Sequence, residues 1–362
     1  MNLRLISYID LDEKFWYDFD YLVTMEVEHI VQLNSNWLRA YIDNYLKKSQ
    51  LKILCVYADN KLVGCLPMQL EKSRATRFWS YHILEILGNG PTDFFDIPLR
   101  KGLEKDILLL MIKYLKKKYF WDRIVLKNIS ETSKVITPLI QALNEHGLAF
   151  DLSRPNGFYW VDTNSQNWET YEREEFLKNN SDLNKAERRL KNDGIELYIE
   201  IFYTDIYLRL IDNINLYATR RDSLGQVNTY MTAERKGFLE QLITLYEKKN
   251  EVELTLLMDS SQTVWAFQLD WVFNSIRYHW NHAYNEDFKR YSPGKVLLKE
   301  LMIRSFNDLN IKSCNHMRGL SDYKSKLVNR NNMFIQIEIN NPKSFRLKAT
   351  KLVSKGFKIL RH

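Results

Sequence analysis

The chain has 362 residues, 45% hydrophobic and 27% charged, with a net charge of +7. That composition excludes disordered, collagen-like and disulfide-scaffold classes, and no apolar run approaches the roughly 20 residues that span a bilayer. The surplus of cations favours anionic partners: nucleic acid, an acidic membrane surface or a phosphorylated small molecule.

Residues 1–50 are predicted to be helical, with Phe15, Trp16, Phe19, Leu22 and Val23 on one face and Trp37 and Tyr41 following. The N-terminus acquires acids too early for a signal peptide. A hairpin is expected next, LKILCVYA and KLVGCLPMQLEK around Asp59-Asn60, and then a strand, HILEILGN, ending at Gly88-Asn89-Gly90-Pro91. Asp93, Phe94, Phe95 and Asp96 occupy the loop. Leu103–Tyr119 reads as an amphipathic helix, 123–127 as a strand, Val135–His146 as a helix stopped by Gly147, and 158–161 as a strand. The polar run Asp162–Asn167 marks a domain boundary. Beyond it come a basic helix at 177–191, a strand at 195–203, helices near 206–217 and 238–248, and a second hairpin, LTLLMD and TVWAFQLDW.

From Leu51 and again from Val252 the chain follows one grammar: hairpin, strand, loop, amphipathic helix, strand, helix, strand. A spacing of about 200 residues indicates domain duplication rather than a solenoid. The loops before the two amphipathic helices differ. The first carries Thr-Asp-Phe-Phe-Asp, whereas the second reads Lys289-Arg290-Tyr291-Ser292-Pro293-Gly294-Lys295. A helix start with small and basic residues suits a phosphate or pyrophosphate, so the second half is the better place for a phosphate-bearing ligand. Cys55, Cys65 and Cys314 are odd in number and have no zinc spacing, and the seven histidines form no HExxH pattern. A cytoplasmic location and no metal are expected.

The AFQLDW strand, the Ser-Pro-Gly helix start, the following RGLSDYKSKL element and the basic segment KNNSDLNKAERRLKNDG together resemble a family. It is the cellulose-biosynthesis-type branch of the GNAT acyltransferases, related to Fem-like peptidyltransferases. The resemblance covers about residues 165–330, and residues 1–160 only by their order of elements. It implies an α/β (α+β mixed sheet) fold with two tandem GNAT-like domains, each a mixed central sheet flanked by helices. Their expected bounds are 1–163, without a CoA site, and 164–342, binding acyl-CoA, followed by a basic C-terminal helix at 343–362. The implied pyrophosphate site is Tyr291, Ser292, Gly294, Lys295 and Val296, with Arg318 and Lys324 assisting and His279–Ala283 as the splayed strand. The loop lacks the Gln/Arg-x-x-Gly-x-Gly form of ordinary GNAT enzymes. A narrower resemblance points to bacterial N-acylation of a nucleotide-linked amino sugar, such as dTDP-3-amino-3,6-dideoxyhexose, with acetyl- or 3-hydroxybutanoyl-CoA, for lipopolysaccharide or capsule biosynthesis.

Acyl transfer from a thioester to an amine needs a base, stabilisation of the thioester oxygen, and contact between the reactants. No cysteine sits in a triad context, which favours direct transfer. Strict alternation along 276–284 puts His279 and Asn281 towards the cleft and Tyr278, Trp280, His282 and Tyr284 inward. His279, Asp270 and Asn281 are therefore candidate catalytic groups, with Tyr323 to protonate or bind the departing thiol. Gln268, Arg220 and Arg221 (with Lys185, Arg188 and Arg189) are candidate acceptor contacts, arginine suiting the diphosphate. Trp37 and Asp93 of the first half are candidates for the acceptor side. For each of these a plain structural role stays open. The expected assembly is a monomer or homodimer without nucleic acid, and the basic C-terminal segment leaves room for peripheral membrane contact. Two alternatives remain at this stage: a Fem-type aminoacyl-tRNA-dependent peptidyltransferase, for which 194–252 leaves little space for a helical arm, and a non-catalytic basic module.

Overall fold

A computed structural model describes residues 1–27, 30–74, 80–118, 120–177, 181–223, 225, 232–326 and 330–347, without the side chains of 181, 217, 220, 221, 223, 322 and 323. The chain forms two units, 1–157 with 332–362, and 158–331. This division differs from the expected 1–163 and 164–342, because the last strand returns to the first unit.

In the first unit β1 (Asn2–Ile6) precedes α1 (Glu13–Glu26) and α2 (Ser35–Tyr45), so residues 1–50 are not wholly helical. Next come β2 (Leu51–Ala58), β3 (Lys61–Arg74), β4 (Ser80–Ile86), α3 (Glu104–Lys117), β5 (Arg123–Ser130), α4 (Ile136–Glu145) and β6 (Phe150–Asp162), whose last residues enter the second unit. The second unit continues with α5 (Trp168–Tyr171), α6 (Ser181–Asn192), β7 (Leu197–Phe202), α7 (Ile206–Ser223), α8 (Ala233–Glu247), β8 (Val252–Asp259), β9 (Val264–Phe273) and β10 (Ile276–Tyr284). It closes with α9 (Pro293–Asn307), β11 (Ser313–Arg318) and α10 (Asp322–Ser325), and β12 (Arg330–Asn340) carries the chain back.

Strand order is β1-β2-β3-β4-β5-β12 in the first unit and β6-β11-β10-β9-β8-β7 in the second. Each sheet is mixed: β4–β5 and β10–β11 are parallel, and the other recorded pairs within each unit are antiparallel. The β2–β3 and β9–β10 hairpins close through two-residue turns whose central residues are left-handed, Asp59-Asn60 (φ 49° and 60°) and Asn274-Ser275 (φ 49° and 65°). Such turns match the twist of the strands they join. The expected 343–362 helix shows one helical turn at 345–347, and 348–362 lie outside the described residues.

Helix α1 is capped by the Asp12 carboxylate, which accepts from the Phe15 amide, and it buries the five apolar residues foreseen for its inner face. Helix α3 lies so close to β3 that a Cβ at Gly64 would stand 2.5 Å from Ile107 Cγ2. Gly64→Ala is therefore expected to cost about 1–3 kcal/mol through overpacking. A urea midpoint unchanged from wild type would show that α3 moves aside freely.

In the second unit α9 buries Leu297, Leu298, Leu301 and Met302 against two clusters, one containing Tyr171, Phe176 and Leu183 and the other Leu190, Trp265 and Tyr291. Trp265 stacks on Phe288 with centroids 3.8 Å apart and an interplanar angle of 4°. These contacts fix α9 on the face of the sheet that carries the polar row described next.

Candidate active site

In both units the sheet splits in the same way. Strands β4 and β5 pair in parallel over only three residues, Ile83↔Arg123 to Glu85↔Val125, and β10 and β11 over only three, Ile276↔Ser313 to Tyr278↔Asn315. In the first unit the chain fills its own split: Phe95 bridges to Ile129, its amide donates to the Asn128 carbonyl, and Asn128 Nδ2 donates to the Thr92 carbonyl. The helix behind that split begins with Glu104 and Asp106, which repel an anion. In the second unit no such bridge is recorded among the described residues. A cavity of about 50 Å³ is lined there by Gln268, His279, Trp280, His282, Leu298, His316 and Lys324.

The polar row crosses four strands on one face. Glu253 on β8 lies opposite Asp270 on β9, Asp270 lies opposite His279 on β10, and His316 on β11 stacks on His279 with centroids 5.0 Å apart. Asp270 Oδ1 is 3.0 Å from His279 Nδ1 and its Oδ2 is 3.4 Å from an Arg277 guanidinium nitrogen. Arg277 also pairs with Glu253, and Arg304 of α9 reaches Glu253 at 2.8 Å. All but Arg304 are less than 9% exposed.

Two arginines face two carboxylates, so the group is neutral as a whole, which is the condition for burying it. Burial pushes the Asp270 carboxyl up from its usual range, while Gln268 and Arg304 act in the opposite sense. The adjacent Arg277, lowered by burial only to about 10, stays charged at neutral pH and holds Asp270 as the carboxylate. Asp270 then accepts from His279 Nδ1–H, which leaves the lone pair on Nε2. That Nε2 and the Nε2 of His316 are buried without a hydrogen-bond partner.

Burial, reinforced by Arg277 and Lys324, pulls His279 down to about 3, and burial with His279 pulls His316 well below 6.5. Both are neutral when folded, yet each protonates near 6.5 when unfolded. Their share of stability is thus complete above pH 6.5 and lost as pH falls, at up to about 1.4 kcal/mol per unit for each. The stability difference between wild type and His316→Asn should accordingly shrink from pH 7 to pH 5 in urea melts. A constant difference would mean that His316 titrates normally in the fold.

The strict alternation expected for β10 does not hold. The register jumps from His279↔Asp270 to Asn281↔Leu269, making Trp280 an extra residue. A bulge of this kind exchanges the two faces beyond it. His282 therefore joins His279 on the cavity while Asn281 turns to the opposite face, and His282 is exposed rather than core. Gln268 lies opposite His282 and lines the cavity.

At the head of α9, Ser292 is left-handed (φ 49°) and its carbonyl already accepts from the Lys295 and Val296 amides. Pro293 has no N–H, which leaves the Gly294 amide as the unbonded donor of this first turn. Lys295 pairs with Asp182, and Tyr291 donates to Asp193 at 2.6 Å. Val296 is half-buried against the core. Lys324 Nζ donates to the Arg318 and Met317 carbonyls at 2.9 and 3.3 Å, at the open end of β11. The α9 loop thus offers an anion less than its composition suggests.

Trp37 is fully buried, donating Nε1–H to Thr92, and the Asp93 amide donates to Gln32; both belong to the first unit. Lys185, Arg188 and Arg189 lie on α6, where Arg189 donates to the Arg290 carbonyl. The side chains of Arg220, Arg221 and Tyr323 lie outside the described residues. Sequence reasoning missed Glu253, Arg304 and His316. The usable signal for Glu253 was a lone carboxylate inside the apolar strand VELTLLM.

Residues 178–325 match the family model described as an acetyltransferase (GNAT) domain. No curated protein sequence matches the chain. Among solved structures, FemX has 11% identity and a TM-score of 0.63, with 96% of this chain and 99% of that one covered. The C-terminal domain of a putative lysylphosphatidylglycerol synthetase from Agrobacterium fabrum has 11% identity and a TM-score of 0.55 over 94% and 95%. L-PGS from Bacillus licheniformis has 10% identity and a TM-score of 0.53 over 95% and 96%. At these identities the similarity is one of fold. The match of residues 178–325 to a GNAT acetyltransferase domain supports an acyl-transfer enzyme.

Proposed function

We propose that the second unit transfers an acyl group from CoA directly to an amine, with His279 Nε2 as the general base and Asp270 fixing its tautomer. The single observation that carries this reading is the buried Asp270–His279 pair whose outer nitrogen is unpartnered at the split between β10 and β11. A base oriented by a carboxylate, with its acceptor nitrogen facing no protein donor, meets the geometric requirement for removing an amine proton, and burial keeps that nitrogen unprotonated at neutral pH. GNAT acyltransferases use acyl-CoA, and the self-filled split of the first unit favours the second as the CoA-binding half. The acceptor we propose is a nucleotide-linked amino sugar such as dTDP-3-amino-3,6-dideoxyhexose, destined for surface polysaccharide. Support for this part is the resemblance of residues 165–330 and the net charge of +7, which suits a diphosphate-bearing substrate. Arg220, Arg221 and Gln268 remain its candidate contacts, with Tyr323 kept for the departing thiol and Arg318 for the CoA side, and a cytoplasmic location follows from such a substrate.

The test is thiol release with acetyl-CoA and 3-hydroxybutanoyl-CoA against a panel of nucleotide amino sugars. Release that needs both partners supports the reading. Binding of CoA in calorimetry without release would displace the sugar. Absence of CoA binding would remove CoA as donor and turn attention to aminoacyl-tRNA, the donor of Fem-type enzymes.

A further inference from the structure

The base described above accounts for one buried imidazole nitrogen, and β11 supplies another. His316 is 5% exposed, its Nε2 has no partner, and its ring lies on that of His279 with 27° between the planes. Both rings line the one cavity of about 50 Å³. A buried polar atom left unsatisfied keeps the full cost of its lost hydration. Two on neighbouring rings in one cavity therefore point to a ligand that donates twice. One tetrahedral nitrogen making two hydrogen bonds of about 2.9 Å spans about 4.7 Å between its acceptors. The ring centroids lie 5.0 Å apart, which brings both rings within reach of one small donor group.

We propose that His316 is a substrate-binding residue whose Nε2 accepts one N–H of the acceptor's primary amine while His279 Nε2 accepts the other. This rests on the acyl-transfer reading and specifies its second substrate. With both hydrogens held, the nitrogen lone pair is turned to the thioester carbonyl. The C–N bond forms and the C–S bond breaks. The proton on the His279 side moves to Nε2 and then to the departing thiolate, giving CoA–SH. The other hydrogen stays in the product amide, still bonded to His316. A hydroxyl carries one hydrogen and a secondary amine one, so either leaves an imidazole unpaired. A site built to bond a group rejects the analogue lacking it.

Two measurements on the full chain test this. Long-range proton–nitrogen correlation of the imidazoles at pH 7 should show Nε2 of both His279 and His316 unprotonated. A proton on His316 Nε2 overturns the proposal whatever the activity. Thiol release is then compared for a primary amino sugar nucleotide, its N-methyl form and its hydroxyl form, with wild type and with His316→Phe, which keeps a flat ring and removes the nitrogens. The expected result is a fall of about 10- to 100-fold in kcat/KM for the primary amine, and less than about 2-fold for the N-methyl form. Equal falls for both amines would reduce His316 to a packing residue and sink the proposal. Wild type that releases thiol with no amine at all would instead bring down the acyl-transfer reading, and this proposal with it.

Discussion

Replacing His279 by alanine should lower kcat/KM for acyl transfer by about 10²–10⁴-fold while CoA still binds, since loss of a positioned base removes that much. The residual rate would come from holding thioester and amine together. The pH profile of wild type gives a second reading of the same residue. Because burial holds His279 near 3, its titration contributes no limb around 6.5. The acid limb of kcat/KM should follow the amine, which must be unprotonated to attack, and move when amines of different basicity are compared. A limb fixed near 6.5 for every amine would show that His279 titrates in the working range. An alanine variant of wild-type activity would remove it from the chemistry.

Replacing Glu253 by glutamine should cost about 3–5 kcal/mol of stability, the penalty for leaving buried charge without its partner. Glu253 is paired to both Arg277 and Arg304, and Arg277 is in turn the cation beside Asp270. Its loss leaves Arg277 and Arg304 without the anion that positions them beside Asp270, so activity should fall along with stability. Urea unfolding reads the first effect and thiol release the second. A variant as stable as wild type would show that water reaches Arg277 and that the row is not sealed. Asp270→Asn separates the two roles from the other end, removing the negative charge beside His279 Nδ1–H while keeping the shape.

Much of the fold was legible because its signals are local. The Asp59-Asn60 turn, the apolar face of α1 and the Pro293 start of α9 each declare themselves within a few residues, and the repeated grammar of the two halves follows from them. His279 and Asp270 were reached from the same kind of pattern, since alternation placed both on the polar face of a hairpin. The bulge at Trp280 was invisible to that argument. Alternation assumes an unbroken register, and the shift arises in how β10 pairs with β9 just past the point where it parts from β11.

Local pattern was thus enough for the two repeated halves and for the hairpin that bears the acid and the imidazole. Register and packing were needed to place His282 and not Asn281 on the face of His279, to tie Lys295 to Asp182, and to return the last strand to the first unit against β5. They alone brought Glu253, Arg277, Arg304 and His316 around the pair. The reason is physical. Turns, caps and amphipathic faces are set by neighbours in sequence, whereas the balance of buried charge and the pairing of unsatisfied nitrogens depend on residues 24 to 51 positions apart that meet only once the sheet and α9 have closed together.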